Sequence, residues 1–289
     1  MNKNDFILKY DRKIWEEIIA EPVNTLQLFV TNRCNLRCRG CFYKHKLGEE
    51  EMSLSDCRNY IKNYSAQIKK VILLGGEPTL HKDLKSIIAY IRDLGLRTTV
   101  YSNGVNLKPI ENTDLSNTQI RVGVYGSYSS EKPLSRVPKT KLPLTIVYML
   151  RRDNIKELME TALMSEEFNC RKFFISSIRD IATTQDYWKD TEETITPMDY
   201  ADIIQNFIDN YKGNLKEIHI SNRGIMRTEK QDFDEIRCCR FGNIFPDREK
   251  IICPFDIAKK ITTSELIFGK RICTKHHHCI LQKIVLKRI

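Results

Sequence analysis

The chain has 289 residues, 41% of them hydrophobic and 29% charged, and a formal net charge of +10. That balance supplies a buried core and excludes a disordered chain, and no apolar run approaches the 18 residues of a membrane helix. Met1-Asn2-Lys3-Asn4-Asp5 is too polar to open a signal peptide, so a soluble protein of the cytoplasm is expected, with no membrane partner.

In chain order, residues 1–25 read as an N-terminal helical segment, amphipathic from Asp11 to Ala20 and ended by Pro22. Short apolar runs at 26–30, 71–74, 98–101, 120–125, 144–150 and 173–178 then read as strands. Between them, 53–64, 83–94 and 154–168 carry apolar residues at helical spacing, and Gly95 stands where a helix C-cap is wanted. The linker 106–117 has room for a short helix only, and 126–143, with Pro133, Pro138, Pro143 and several basic residues, reads as loop. A helix over 197–211 and a seventh strand over 215–221 follow. Strands alternating with helices pair in parallel through right-handed crossovers. The predicted fold is therefore α/β: a partial (β/α)6 TIM-type barrel over 26–222, with a small cysteine-rich module over 223–289.

Ten cysteines in a chain without a secretion signal point to metal or redox chemistry rather than a disulfide scaffold. Three lie within 34–41 and five within 238–279. Cys34, Cys38 and Cys41 directly follow the first strand. Three thiolates on one loop can hold three irons of a [4Fe–4S] cube and leave the fourth open to a ligand. By itself the same loop also suits a zinc knuckle built with His45. Gly75-Gly76-Glu77-Pro78 ends the second strand, where glycines allow close backbone approach and Glu77 offers an acceptor for an ammonium group. Ser102-Asn103-Gly104 ends the third strand and offers partners for ribose hydroxyls. In barrels of parallel strands the active site is built on the loops at the C-terminal strand ends, and all three motifs fall there.

This set of motifs resembles the radical S-adenosylmethionine (SAM) superfamily over about residues 26–178. The resemblance implies a [4Fe–4S] cluster on Cys34, Cys38 and Cys41 whose open iron is chelated by the amine and carboxylate of SAM. It implies Gly75, Gly76 and Glu77 at the methionine ammonium, and Ser102 and Asn103 at the ribose. One electron, from a flavodoxin- or ferredoxin-type donor, would cleave SAM to a 5′-deoxyadenosyl radical that takes a hydrogen atom from substrate. The residue before the third cysteine is often aromatic in the family; here it is Gly40, and Phe42 is assigned the adenine contact.

Near the C-terminus, residues 241–252 read as a hairpin turning at Pro246-Asp247, which would bring Cys239 and Cys253 together. With Cys273 and Cys279 these resemble the auxiliary-cluster modules called SPASM and, in shortened form, Twitch; Cys238 is the alternative to Cys239. The resemblance implies one auxiliary iron–sulfur cluster, a [4Fe–4S] cube. The module's usual Pro-Asp-Gly turn reads Pro246-Asp247-Arg248 here. A structural zinc site drawing on His276-His277-His278 is the other reading of those cysteines. Cys57 and Cys170 read as buried structural thiols, while Tyr125, Tyr148, Ser176 and Ser177 lie on strands near the barrel mouth.

The resulting expectation is a radical SAM enzyme acting on a peptide, in crosslinking or epimerisation. A small-molecule dehydrogenase or rearrangement enzyme, acting for instance on an amino sugar, is the second reading. About 25 residues precede the first strand, so a peptide-recognition domain would have to come from another protein. A zinc-containing nucleic-acid-binding protein is the reading of another class. No basic run with interleaved aromatics supports it, and nucleic acid is not the expected partner.

Overall fold

The computed structural model describes residues 6–9, 24–38, 41, 43–129, 131–177, 195, 197–221, 241–248, 250–251 and 283–288. Its frame is a run of seven parallel strands: β2 (Thr25–Thr31), β3 (Lys70–Gly75), β4 (Arg97–Ser102), β5 (Thr118–Val124), β6 (Leu144–Leu150), β7 (Cys170–Ser177) and β8 (Glu217–Ser221). The six expected strands are present, and the seventh extends the partial barrel. Cys170 opens its strand and is half-buried, whereas Cys57 is fully buried as expected.

Among the described residues four α-helices cover the outer face. In α1 (Leu54–Tyr64) the buried residues Cys57, Ile61 and Tyr64 fall four and three apart. Ser53 caps that helix, its hydroxyl accepting from Asp56 N at 3.0 Å, a contact worth about 1 kcal/mol. In α2 (Leu84–Asp93) Leu84, Ile87, Ile88 and Ile91 make the buried stripe, and Gly95 ends it in the left-handed region at φ +71°. The third, α3 (Leu158–Ser165), is shorter than its periodicity suggested, because Arg152–Glu157 forms a tighter 3₁₀ turn. Asn154 causes this: its buried amide donates to Tyr125 O and Met149 O and accepts from Arg151 N. Those bonds tie the chain to the strand ends instead of starting an α-helical turn. The fourth, α4 (Pro197–Asn210), opens on proline as expected.

Leu26, Leu28 and Val30 of β2, Ile120, Val122 and Val124 of β5, and Ile146, Tyr148 and Leu150 of β6 all join the core beneath the helices. Side chains alternate along a strand, so the residues between them face the barrel lumen. Tyr148 therefore points away from the lumen, its hydroxyl donating to Asn154 O at 2.5 Å, and it is no substrate contact.

Four further strands widen the sheet to eleven among the described residues, in the order β1-β11-β8-β7-β6-β5-β4-β3-β2-β9-β10. At one edge, β1 (Phe6–Lys9) and β11 (Lys283–Arg288) add as antiparallel strands beyond β8. At the other edge the expected hairpin forms from β9 (Phe241–Ile244) and β10 (Lys250–Ile251), with β9 parallel to β2. Phe245 seals this junction, stacking on Phe29 at 4.3 Å between centroids, while Phe29 stacks on Tyr43 at 4.9 Å. Lys46 lies over the Phe245 ring at 5.1 Å and pairs with Asp247 at 2.7 Å. The helical segment expected over 1–25 is corrected at Phe6–Lys9, which pair with β11 as a strand; residues 11–20 lie outside the described residues.

Candidate active site

The loops after β2, β3 and β4 are knotted together by hydrogen bonds at the C-terminal end of the barrel. Glycine starts the knot. Gly75 has φ +144°, and a Cβ built on it would stand 2.3 Å from Thr31 O; one built on Gly76 would stand 2.1 Å from Arg33 O. Only residues without a side chain let the two loops approach this closely. Gly76 N then donates to Thr31 O and Glu77 N to Arg33 O, both at 2.7 Å.

Glu77 is the second strand of the knot. Its side chain is buried, and its carboxylate accepts from Thr79 N at 3.1 Å, Thr79 Oγ1 at 2.8 Å, Ser102 Oγ at 2.9 Å and Asn103 N at 2.7 Å. Burial raises the pKa of this carboxyl, and the four hydrogen bonds work against that rise by stabilising the charged form. Asn103 completes the circuit by donating from Nδ2 to Asn35 Oδ1 at 2.7 Å, within the cysteine loop. Asn35, Glu77, Ser102 and Asn103 therefore form one polar chain across three strand ends. The sequence assigned Glu77, Ser102 and Asn103 to ligand contacts; in the structure all three also hold the loops in register.

Cys34, Cys38 and Cys41 lie on this mouth, each half-buried and without a disulfide. Leu36 N points at Cys34 Sγ at 3.4 Å, and the Tyr43 backbone N–H favours the thiolate of Cys41. Such N–H···S bonds suit thiolates that ligate a cluster. Burial pushes the thiols of Cys38 and Cys41 up, with Lys132 opposing it in both. The loop is shaped by bonds from Cys41 N to Cys38 O at 3.2 Å and Lys44 N to Cys41 O at 3.1 Å. Among the described residues no three His, Cys, Asp or Glu side chains converge on a single metal ion. A cube takes each thiolate on a different iron and does not require that convergence.

Facing the thiols is a residue the sequence reading passed over. Lys132 belongs to the loop that connects β5 to β6, and its backbone carbonyl accepts from Tyr125 N at 2.9 Å. Burial would lower its pKa, but Tyr125, Cys38, Cys41 and Glu77 around it raise it overall. Its ammonium lies 5.4 Å from the centre of the Tyr125 ring, and the Arg151 guanidinium lies 4.8 Å from the same ring. Tyr125 is thus buried between two cations rather than facing the lumen alone. The only sequence signal for Lys132 was the cluster of basic residues in a proline-rich loop.

Phe42 lies outside the described residues, as do Cys238, Cys239, Cys253, Cys273, Cys279 and His276-His277-His278. The side chain of Ser177 is likewise outside the description, while Ser176 is half-buried on the lumen side of β7.

Residues 28–162 match the model of the radical SAM superfamily. The probable GTP 3′,8-cyclase of Pyrococcus abyssi is 38% identical over 90 residues, covering 30% of this chain and 29% of its own. The PqqA peptide cyclase of Xanthomonas axonopodis is 26% identical over 190 residues, covering 58% of this chain and 50% of its own. The chain thus spans at most half the length of these curated relatives. In three dimensions it is similar to SuiB of Streptococcus suis, whose crystal structure was solved with its precursor peptide SuiA. The TM-score is 0.63 at 14% identity, over 88% of this chain and 64% of SuiB. At that identity the likeness shows a common fold.

Proposed function

From the premise that residues 28–162 are a radical SAM domain, we propose that the chain cleaves SAM reductively and uses the resulting radical to modify a peptide. The observation that carries this reading is the knot of Asn35, Glu77, Ser102 and Asn103, which fixes the three-cysteine loop against two glycine-bearing strand ends. When bound, a [4Fe–4S] cluster on Cys34, Cys38 and Cys41 supplies one electron to SAM, releasing methionine and a 5′-deoxyadenosyl radical.

The chain's own residues divide the remaining work. Gly75, Gly76 and Glu77 would meet the methionine ammonium of SAM, since Oε2 of Glu77 takes only the Asn103 N–H and keeps acceptor capacity for it. Ser102 and Asn103 present the ribose contacts, and Phe42 the adenine contact. The peptide substrate is supported by the fold shared with SuiB, which was crystallised with its precursor peptide, and by the PqqA peptide cyclase among the relatives. It agrees also with the loop between β5 and β6, which carries no α-helix among its described residues.

The hairpin supports an auxiliary cluster. Cys239 precedes β9 by two residues and Cys253 follows β10 by two, and antiparallel pairing of the hairpin brings its two ends together. Cys273 and Cys279 complete the proposed ligand set, in a module spanning 223–289 after the 26–222 core. A flavodoxin- or ferredoxin-type protein would deliver the electrons. Anaerobic reconstitution followed by dithionite and SAM should yield 5′-deoxyadenosine. Replacing Cys34, Cys38 and Cys41 together by Ala should abolish it, and SAM cleavage surviving that change would sink the reading.

A further inference from the structure

We propose that the floor of the barrel lumen is a carboxylate-binding site centred on Arg121, which recognises an acidic group of the peptide substrate. This deepens the reading above and rests on it. Ile120, Val122 and Val124 are buried under the helices, so Gln119, Arg121 and Gly123 face the lumen. Strand register sets Tyr101, Arg121, Thr145 and Lys172 side by side in one row across β4 to β7. Tyr101 immediately precedes Ser102 of the loop knot and is 39% exposed, so this row floors open space directly below the site.

Arg121 is fixed in position by neutral groups alone. Its Nη1 donates to the Tyr101 hydroxyl at 2.8 Å and its Nε to Gln119 Oε1 at 3.2 Å, and the guanidinium lies 5.4 Å from the centre of the Tyr101 ring. Gln119 is itself held by a 2.8 Å bond from its Nε2 to Thr145 Oγ1. The acidic group beyond the row, Glu217 of β8, is already engaged by Lys172 at 3.1 Å and His219 at 2.9 Å. Among the described residues no carboxylate reaches Arg121.

Among the described residues, Arg121 thus presents a preorganised guanidinium with no anionic partner and with Nη2 making no hydrogen bond. A fully buried arginine is almost always paired. This one stays solvated until the lumen fills, and then loses that water unless the incoming molecule brings the anion. A planar guanidinium matches a carboxylate bidentately, which orients as well as binds it.

The test uses cluster-reconstituted, SAM-loaded protein and follows phenylglyoxal modification of Arg121 by peptide mass mapping. N-acetyl-glutamate amide at saturation should slow the modification roughly tenfold, and N-acetyl-glutamine amide should not. Arg121→Gln should weaken glutarate binding, read by saturation-transfer NMR, roughly tenfold, with Arg121→Lys between the two. Equal protection by the amide, protection by inorganic phosphate but not by the acid, or protection already given by SAM alone over SAM-free protein would each overturn the assignment. Formation of 5′-deoxyadenosine by the same wild-type sample is scored separately. Its absence defeats the radical SAM reading, whereas its presence with an unprotected Arg121 defeats this inference alone.

Discussion

Glu77→Gln is the most telling single change, because it keeps size and shape while altering what the knot can accept. Oε1 of Glu77 takes three donors, from Thr79 N, Thr79 Oγ1 and Ser102 Oγ, and Oε2 takes one, from Asn103 N. An amide has a single oxygen, which will sit where three donors converge. Its NH2 group then faces Asn103 N–H, donor against donor, in a buried place. A charge-assisted hydrogen bond is lost and a backbone N–H is left unsatisfied, at a cost of about 2–3 kcal/mol after relief of the buried charge. For a chain of this size that lowers the melting temperature by about 4–10 °C. Differential scanning calorimetry of the unreconstituted protein reads this directly, with no dependence on cluster loading. Glu77→Asp should also destabilise, since one methylene fewer cannot span both loops. A Glu77→Gln protein that melts within 1 °C of wild type would refute the claim that the carboxylate holds the loops after β3 and β4 together.

Three other changes probe separate links. Gly76→Ala would place a Cβ against the Arg33 carbonyl, a backbone atom that cannot yield, and should cost about 3 kcal/mol in urea unfolding, whereas Gly123→Ala, with open space around its Cβ, should be tolerated. Arg248 sits at φ +66° in the hairpin turn, and Arg248→Gly should relieve about 1 kcal/mol of left-handed strain at the loss of an exposed 3.5 Å contact with Asp56. A raised melting temperature is expected, and a lowered one would show that the contact outweighs the backbone. Burial pushes the Cys57 thiol up to about 12, while an unfolded chain titrates near 8.5. Its contribution is therefore complete below pH 8.5 and falls above it by about 1.4 kcal/mol per pH unit as the unfolded state ionises first. Comparing urea midpoints at pH 8 and pH 10.5 for wild type and Cys57→Ala checks this: the alanine variant should lose less stability between the two.

Much of the frame was legible because it is written in local chemistry. Short apolar runs and helical spacing located β2 to β8 and the helices between them, and Gly95 and Pro246-Asp247 marked real turns. The misses come from side chains whose partners are distant in sequence. Asn154 shortens α3 by bonding Tyr125 and Met149, and no window of helical periodicity contains those partners. Tyr148 was placed on the correct strand, but which face it takes depends on the register of β6 against its neighbours. The strands β1 and β11 pair residues from opposite ends of the chain, so neither short apolar run could announce the other. Glu77 is the sharpest case. Its motif was recognisable, yet the sequence could only suggest that an acceptor was free for a ligand. The structure shows why a carboxylate is needed even if no ligand touches it: four donors from two loops meet there, and only a group with two acceptor oxygens satisfies them all. Arg121 is the converse. It interrupts an apolar strand in the phase opposite to Ile120 and Val122, a signal present in the sequence but silent until register showed that no carboxylate among the described residues stands beside it. A charged group that the fold orients but does not neutralise is information about what the lumen receives.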